Sequence, residues 1–366
     1  MIVYQDSIEK IYIELTQHCN LNCVHCFRSN WTKQPMHMTE GVFDKVLREV
    51  KHEAEIARSG NVENAISRNT LKTVSIVGVG EPTTHPEFSK YSGLLAHENM
   101  ELTSNAYYWS EETIDTMVSM YKKVTVSVDG LPKSFAAARG FDFEVMAENV
   151  KRLVRAKLKK GSKFPFIHAQ LVLSKDNLHD VKELIPMLKK IGFAKLLISN
   201  LLPQTEADKD KIVYTPYIDK EMRDFVKTWY PIGSATGLQI KIPQTKFNAN
   251  HRCGFIEAGA LFITADGYIA PCLRFAHDGQ EFVFGRKKKI KPVYFGDIKN
   301  NTLSEIWNTK EYLTFRYMNF AGRFPSCVDC DHLEFCDYIK TSEADCYASE
   351  PSCADCLWCR GLIECP

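Results

Sequence analysis

Thirteen cysteines, gathered into two distant parts of a 366-residue chain, constrain this sequence more than any other feature. Cys19, Cys23 and Cys26 crowd into one short stretch, and the next cysteine is Cys253. The rest then follow closely: Cys272, Cys327, Cys330, Cys336, Cys346, Cys353, Cys356, Cys359 and Cys365. Asp6, Glu9, Lys10 and Glu14 interrupt the opening residues, so neither a signal peptide nor a membrane span is expected there. A cysteine-dense chain without an export signal reads as metal-binding or redox-active and cytoplasmic, rather than disulfide-stapled. Lysine and arginine number 46 against 45 aspartates and glutamates, and this balance gives no broad basic field for nucleic acid.

The cysteine-free stretch alternates short apolar runs with amphipathic ones. Strands are expected over 11–15, 73–77, 100–103, 124–128, 167–173 and 195–199, each rich in Val, Ile or Leu. Thr39 can cap a helix to about residue 58, and Ser110 another, with Glu111 and Glu112 in its first turn. Helices over 143–159 and 178–191 stop near Gly161 and Gly192. Six strand–helix units predict an α/β fold over residues 1–240, a partial (β/α)6 TIM-like barrel, with a doubly wound open sheet as the competing arrangement. Residues 241–366 are expected to form a smaller, cysteine-rich domain organised by metal. In it, Ala265-Asp266-Gly267 suits a hairpin turn, 303–320 a helix, and Arg286-Lys287-Lys288-Lys289 a solvated hairpin tip.

The first cysteines read Cys19-Asn-Leu-Asn-Cys23-Val-His-Cys26, directly after the first strand. A cubane iron–sulfur cluster has four irons, so three thiolates leave one iron open to an external ligand. A loop at the C-terminal end of a barrel strand is also where such folds place their chemistry. Zinc completed by His18 or His25 is the alternative, although zinc sites usually pair two C-x2-C knuckles.

This triplet, followed by Phe27-Arg28, resembles the signature of radical S-adenosylmethionine (radical SAM) enzymes. The resemblance implies a 4Fe-4S cluster whose open iron chelates S-adenosylmethionine, and reductive cleavage to a 5′-deoxyadenosyl radical that abstracts hydrogen from substrate. Gly78-Val79-Gly80-Glu81-Pro82 resembles the family's Gly-Gly-Glu-Pro segment, which hydrogen-bonds the cofactor ammonium. Thr103-Ser104-Asn105 resembles its Thr-Asn-Gly turn, with Ser104 inserted. Ser127 and Asp129 stand where polar side chains meet the ribose; Arg139 resembles a carboxylate clamp, and Gln170 projects from the fifth strand.

The later cysteines are similar in order to the SPASM domain, which implies one or two auxiliary 4Fe-4S clusters. That pattern expects a cysteine where Lys340 stands, and Cys346 is the candidate substitute. The expected grouping puts Cys253, Cys272 and Cys346 on the nearer cluster and Cys327, Cys330, Cys336 and Cys356 on the farther one. Which of the remaining tail cysteines completes the nearer cluster is open, and a pair of zinc knuckles is the competing reading. The tail from Pro351 to Pro366 resembles maturases associated with tungsten-dependent aldehyde oxidoreductases. The implied substrate is a tungsten–pterin cofactor, its precursor or the oxidoreductase polypeptide, with a ferredoxin- or flavodoxin-type electron donor. A peptide-modifying enzyme, making a crosslink or a sulfatase formylglycine, is the second reading. Sulfatase-maturing relatives carry an aspartate just after the cysteine matching Cys272, whereas Leu273-Arg274 follow here. A non-catalytic iron–sulfur or zinc protein is the third.

Replacing Cys19, Cys23 and Cys26 by alanine is expected to abolish S-adenosylmethionine cleavage while sparing most of the C-terminal iron. Iron analysis of the variant checks this; equal loss of all iron would contradict separate sites.

Overall fold

The six expected apolar segments all become strands: β1 (Lys10–Ile13), β2 (Thr73–Ile76), β3 (Met100–Ser104), β4 (Tyr121–Ser127), β5 (Phe166–Leu173) and β6 (Lys195–Asn200). The structure is a computed structural model that describes residues 7–31, 33–59, 71–248 and 251–364. Asp6 and Cys365 therefore lie outside the described residues. A short β7 (Gln239–Lys241) follows β6. Strands β1 to β7 are parallel and lie in chain order. A doubly wound sheet reverses its strand order at a switch point. Here every crossover steps the same way, so right-handed connections carry the helices to one face and the sheet curls as a partial barrel.

The C-terminal segment extends the same sheet. Strand β8 (Ala260–Ile263) pairs parallel to the free edge of β1, and β9 (Tyr268–Ala270) turns back antiparallel through the expected hairpin. Strands β10 (Gly279–Val283) and β11 (Arg286–Ile290) form a separate hairpin, while β12 (Gly296–Asp297) closes the sheet edge on β9. One buried core runs through both segments, from Ile11 and Phe43 to Phe262 and Trp307.

The helices follow their amphipathic spacing. Helix α1 (Glu40–Ser59) buries Phe43, Val46 and Val50, one stripe at three- and four-residue intervals. Helix α2 (Phe88–Leu95) offers Tyr91, whose ring stacks on Phe43 with centroids 3.6 Å apart. Ser110 caps α3 (Glu111–Met120) by accepting from the Thr113 N–H at 3.0 Å. Helices α4 (Pro132–Arg139), α5 (Phe143–Lys159) and α6 (Val181–Ile191) complete the crossovers.

Two expectations are corrected. The helix over 303–320 is two helices, Leu303–Trp307 and Lys310–Phe320, because Thr309 caps a new start by accepting from the Tyr312 N–H. The basic run is not a hairpin tip but the strand β11; the tip is Phe284–Gly285, with φ of 48° and 82°. Strand alternation exposes Lys287 and Lys289 and buries Lys288, which pairs with Asp355 at 2.9 Å. Among the described residues no helix is long and apolar enough to cross a membrane.

Phe43→Ala removes a fully buried ring from the α1–α2 seam and is expected to cost about 3–5 kcal/mol. Urea unfolding of the variant checks this; a change below about 1 kcal/mol would contradict the packing described.

Candidate active site

The loops at the C-terminal ends of the barrel strands converge on one cavity of about 240 Å3. Cys19, Cys23 and Cys26 line it after β1; Gly78, Gly80 and Glu81 line it after β2. Asn105 follows β3, Ser127 ends β4, Gln170 lies on β5, and Arg139 reaches in from the last turn of α4. Pro82 and Asp129 are buried behind this wall. The sequence-predicted cofactor residues are thus brought to one place, as strand-end loops of a barrel must be.

The glycines are there because the backbone passes too close for a side chain. A Cβ on Gly80 would stand 2.3 Å from the Thr16 carbonyl and 2.5 Å from that of His18. One on Gly78 would stand 2.6 Å from Glu14 Cγ. Glu81 is 3% exposed and does not project its charge into the cavity unaccompanied. Its carboxylate accepts from Ser104 Oγ at 2.8 Å, the Asn105 N–H at 2.6 Å and Thr83 Oγ1 at 2.7 Å. Burial raises the Glu81 pKa from its ordinary value, and these hydrogen bonds oppose the shift. Ser104, the inserted residue, also accepts from Trp109 Nε1 at 3.0 Å, so it locks the turn after β3 to the glycine segment after β2. Asn105 is thereby aimed back at the first loop, with Nδ2 2.8 Å from Asn20 Oδ1 and 3.8 Å from Cys19 Sγ.

The charge nearest the thiols comes from Arg139. Its Nη1 donates to Cys23 Sγ at 3.6 Å and its Nε lies 2.5 Å from Asp129 Oδ2. His25 Nε2 is 3.2 Å from the same oxygen, and the Val172 N–H donates to Asp129 Oδ1 at 2.8 Å. Burial alone would raise the Asp129 pKa, but Arg139 and His25 hold it well below the usual carboxylate range. Burial pushes the Cys19 thiol up to about 11 and also raises Cys26. Cys19 and Cys26 face an open cavity, where a bound iron cluster would stabilise their thiolates. Among the described residues no three His, Cys, Asp or Glu side chains converge on a point that could hold a single metal ion.

The C-terminal cysteines sort differently from the expected grouping. Cys253 hydrogen-bonds Cys359, while Cys353, Cys356 and Cys359 contact one another, and Cys272 lines the same cavity of about 420 Å3. Cys327, Cys336 and Cys346 lie near one another, as do Cys346 and Cys330. Cys346 and Cys356 have therefore exchanged places relative to the expectation. The reason is the path of the tail. The Asn248 N–H donates to the Arg360 carbonyl at 2.8 Å and the Arg252 N–H to Cys359 at 3.2 Å, folding the last turn back beside Cys253. The Ser342 N–H donates to the Lys289 carbonyl at 3.1 Å, which keeps the Cys346 segment on the outer side with β11.

Leu273, Trp358, Ile363 and Glu364 line both cavities and so form the wall between them. Sequence reasoning missed that wall, and it missed Glu14 and Ser104 as partners. Glu14 is fully buried, accepts from the Val79 N–H at 3.2 Å and lies 3.0 Å from His277 Nε2. An acid at the end of the apolar run Ile11-Tyr-Ile-Glu14 was the available signal.

Gly80→Ala is expected to displace the loop after β2 and weaken S-adenosylmethionine binding at least tenfold, with the iron of the C-terminal cysteines unchanged. Equilibrium binding to the reconstituted variant checks this; wild-type affinity would contradict the close approach at Thr16.

The radical SAM superfamily signature matches residues 13–188, and the iron–sulfur cluster-binding SPASM domain matches residues 253–331. A tungsten-containing aldehyde ferredoxin oxidoreductase cofactor-modifying protein of Pyrococcus furiosus is 33% identical over 361 residues, covering 97% of this chain and 96% of its own. An AdoMet-dependent heme synthase of Methanosarcina barkeri is 23% identical over 96% of the chain and 98% of its own length. Among solved structures, Streptococcus suis SuiB bound to S-adenosylmethionine superposes with a TM-score of 0.62 at 16% identity, covering 93% of this chain and 73% of SuiB. AnSMEcpe with bound AdoMet superposes at 0.57 and 17% identity, over 89% and 88%. These last two likenesses concern the fold, which they share from the barrel into the cysteine-rich segment. With the triplet, the glycine segment and the strand-end cavity in register, the chain belongs to the radical SAM superfamily and carries a C-terminal SPASM domain.

Proposed function

We propose that this chain is a maturase that uses radical chemistry on a tungsten-dependent aldehyde oxidoreductase, acting on its tungsten–pterin cofactor, a precursor of that cofactor or the polypeptide itself. One observation carries the reading: 33% identity, sustained over 97% of the chain, to a protein named for modifying the cofactor of such an oxidoreductase. Leu273-Arg274 follow Cys272, where sulfatase-maturing relatives carry an aspartate, and this weighs against the sulfatase version of the peptide-modifying reading.

In this reading Cys19, Cys23 and Cys26 hold three irons of a 4Fe-4S cluster and leave the fourth free. A cluster and S-adenosylmethionine held there would supply a reductively generated carbon radical for hydrogen abstraction from substrate. Gly78 and Gly80 let the backbone after β2 approach the cofactor, and Glu81 holds Asn105 in position beside Cys19. Ser127 and Gln170 supply polar groups on the opposite wall. Arg139, neutralised by Asp129, donates toward Cys23 and offers its remaining guanidinium face to the cavity. Such charge-assisted contacts raise a cluster's potential and orient its ligand.

The two C-terminal sets are assigned to two auxiliary 4Fe-4S clusters. The inner one draws on Cys253, Cys272, Cys353, Cys356 and Cys359, one thiol more than four irons require. The outer one takes Cys327, Cys330, Cys336 and Cys346. Cys365 lies outside the described residues. A ferredoxin- or flavodoxin-type protein supplies the electron.

Anaerobic reconstitution, dithionite reduction and chromatography test the reading. The expected result is 5′-deoxyadenosine, with its yield raised by immature tungsten oxidoreductase or its cofactor fraction. No 5′-deoxyadenosine from protein with intact clusters would support the non-catalytic alternative, and stimulation only by a short peptide would support the peptide-modifying one.

A further inference from the structure

Beside the active-site cavity the surface opens into a vestibule of about 550 Å3 lined by Lys33, Lys287, Lys289, Trp31 and Tyr294. Lys33 pairs with Asp266 at 3.2 Å, whereas Lys287 and Lys289 are exposed and make no ion pair among the described residues. Asp278 is the acidic side chain in its lining. Uncompensated lysines on one wall give a local positive potential that attracts anions, and the two aromatic rings offer stacking surface.

A smaller cavity lies between the vestibule and the active-site cavity. A throat of about 30 Å3 shares Trp31, His277 and Gln280 with it, and shares Phe27, Leu273 and Trp358 with the active-site cavity. The throat is built rather than incidental. Asn30 Nδ2 and Gln280 Nε2 both donate to the Gln204 carbonyl, at 2.7 Å and 2.9 Å. The Trp31 ring packs 4.6 Å from that of His277, which Glu14 holds. Arg274 lines the throat at 7% exposure. Its Nε and Nη2 bind Glu281, at 3.1 Å and 2.6 Å, but Nη1 is buried without a hydrogen-bond partner. A buried N–H left unpaired gains a hydrogen bond when a ligand acceptor reaches it. Trp31, Leu273 and Trp358 stand between the vestibule and the active-site cavity, so entry requires them to move aside, and a gap of side-chain size admits a flat ring edge-on and excludes folded polypeptide.

We propose that vestibule and throat are the substrate entrance, and that the substrate is a phosphate-bearing planar heterocycle. Phosphate lies against Lys287 and Lys289, while the ring stacks past Trp31 toward Arg274 and the cavity. This rests on the maturase reading and narrows it, selecting the pterin cofactor or its precursor over the oxidoreductase polypeptide.

The test uses the reconstituted full chain with neopterin triphosphate as probe, and Kd is read anaerobically from tryptophan fluorescence. The expected result is saturable binding that weakens at least tenfold in Lys287→Ala/Lys289→Ala, further in Lys287→Glu/Lys289→Glu, and at least tenfold when neopterin lacks its phosphates. Both lysine pairs are exposed, so iron per chain and the unfolding midpoint remain at wild-type values. No saturable binding, equal affinity in the lysine variants, or equal affinity for neopterin would overturn the proposal. Displacement of the probe by a peptide at comparable concentration would overturn it as well. 5′-deoxyadenosine formation is measured separately: if it fails while phosphate-dependent binding persists, the maturase reading falls and the entrance stands.

Discussion

The Arg139 guanidinium, held between Asp129 and the sulfur of Cys23, is the contact on which the site's geometry depends. It joins three elements that the chain keeps far apart: the end of β4, the last turn of α4 and the cysteine loop after β1. The Val24 N–H donates to the Ala138 carbonyl at 3.1 Å, a second clasp between the same loop and helix. A buried ion pair repays its desolvation only when its remaining donors and acceptors are also satisfied. Here the Val172 N–H donates to Asp129 Oδ1 at 2.8 Å, and His25 adds a second group beside Oδ2 at 3.2 Å. Truncating one partner would leave an uncompensated buried charge, typically a loss of about 3–5 kcal/mol. The pair therefore fixes the loop and sets the positive field at its thiols in one arrangement.

Closure of the barrel mouth follows from the tail. Asn200, at the end of β6, donates through Nδ2 to the Leu362 carbonyl at 2.8 Å, and the Glu364 N–H donates to Ser199 Oγ at 3.0 Å. Glu364 also pairs with Lys241 at 2.6 Å. The strand rim and the cysteine-rich tail are thus bonded through backbone groups, so the inner cysteines are held against the barrel. The same contacts make Trp358 and Leu273 a shared partition between the two cavities.

Much of this was legible in the residues. Apolar runs of Val, Ile and Leu located the strands to within a few positions because strands buried on both faces leave a continuous signal. Gly78 and Gly80 stood out through their segment's resemblance to the family's Gly-Gly-Glu-Pro stretch, and crowding by Glu14, Thr16 and His18 gives the physical reason. Ser104 was legible only as an insertion, since its role depends on Glu81 and Trp109 arriving from elsewhere. The exchange of Cys346 and Cys356 was not legible, because cysteine spacing records neighbours along the chain and not the hydrogen bonds that fold the tail back at Asn248 and Arg252. The basic run misled for a related reason. Alternation along β11 sends Lys288 inward to Asp355, and composition carries no trace of that partner.

The most direct measurement is electron–nuclear double resonance on the reduced, reconstituted protein with S-adenosylmethionine carrying 15N in its amino group. The expected result is a 15N coupling to a cluster signal that disappears in the Cys19, Cys23 and Cys26 alanine variant. A cluster signal indifferent to S-adenosylmethionine, with no nitrogen coupling at any concentration, would contradict an iron left open by the three N-terminal thiolates.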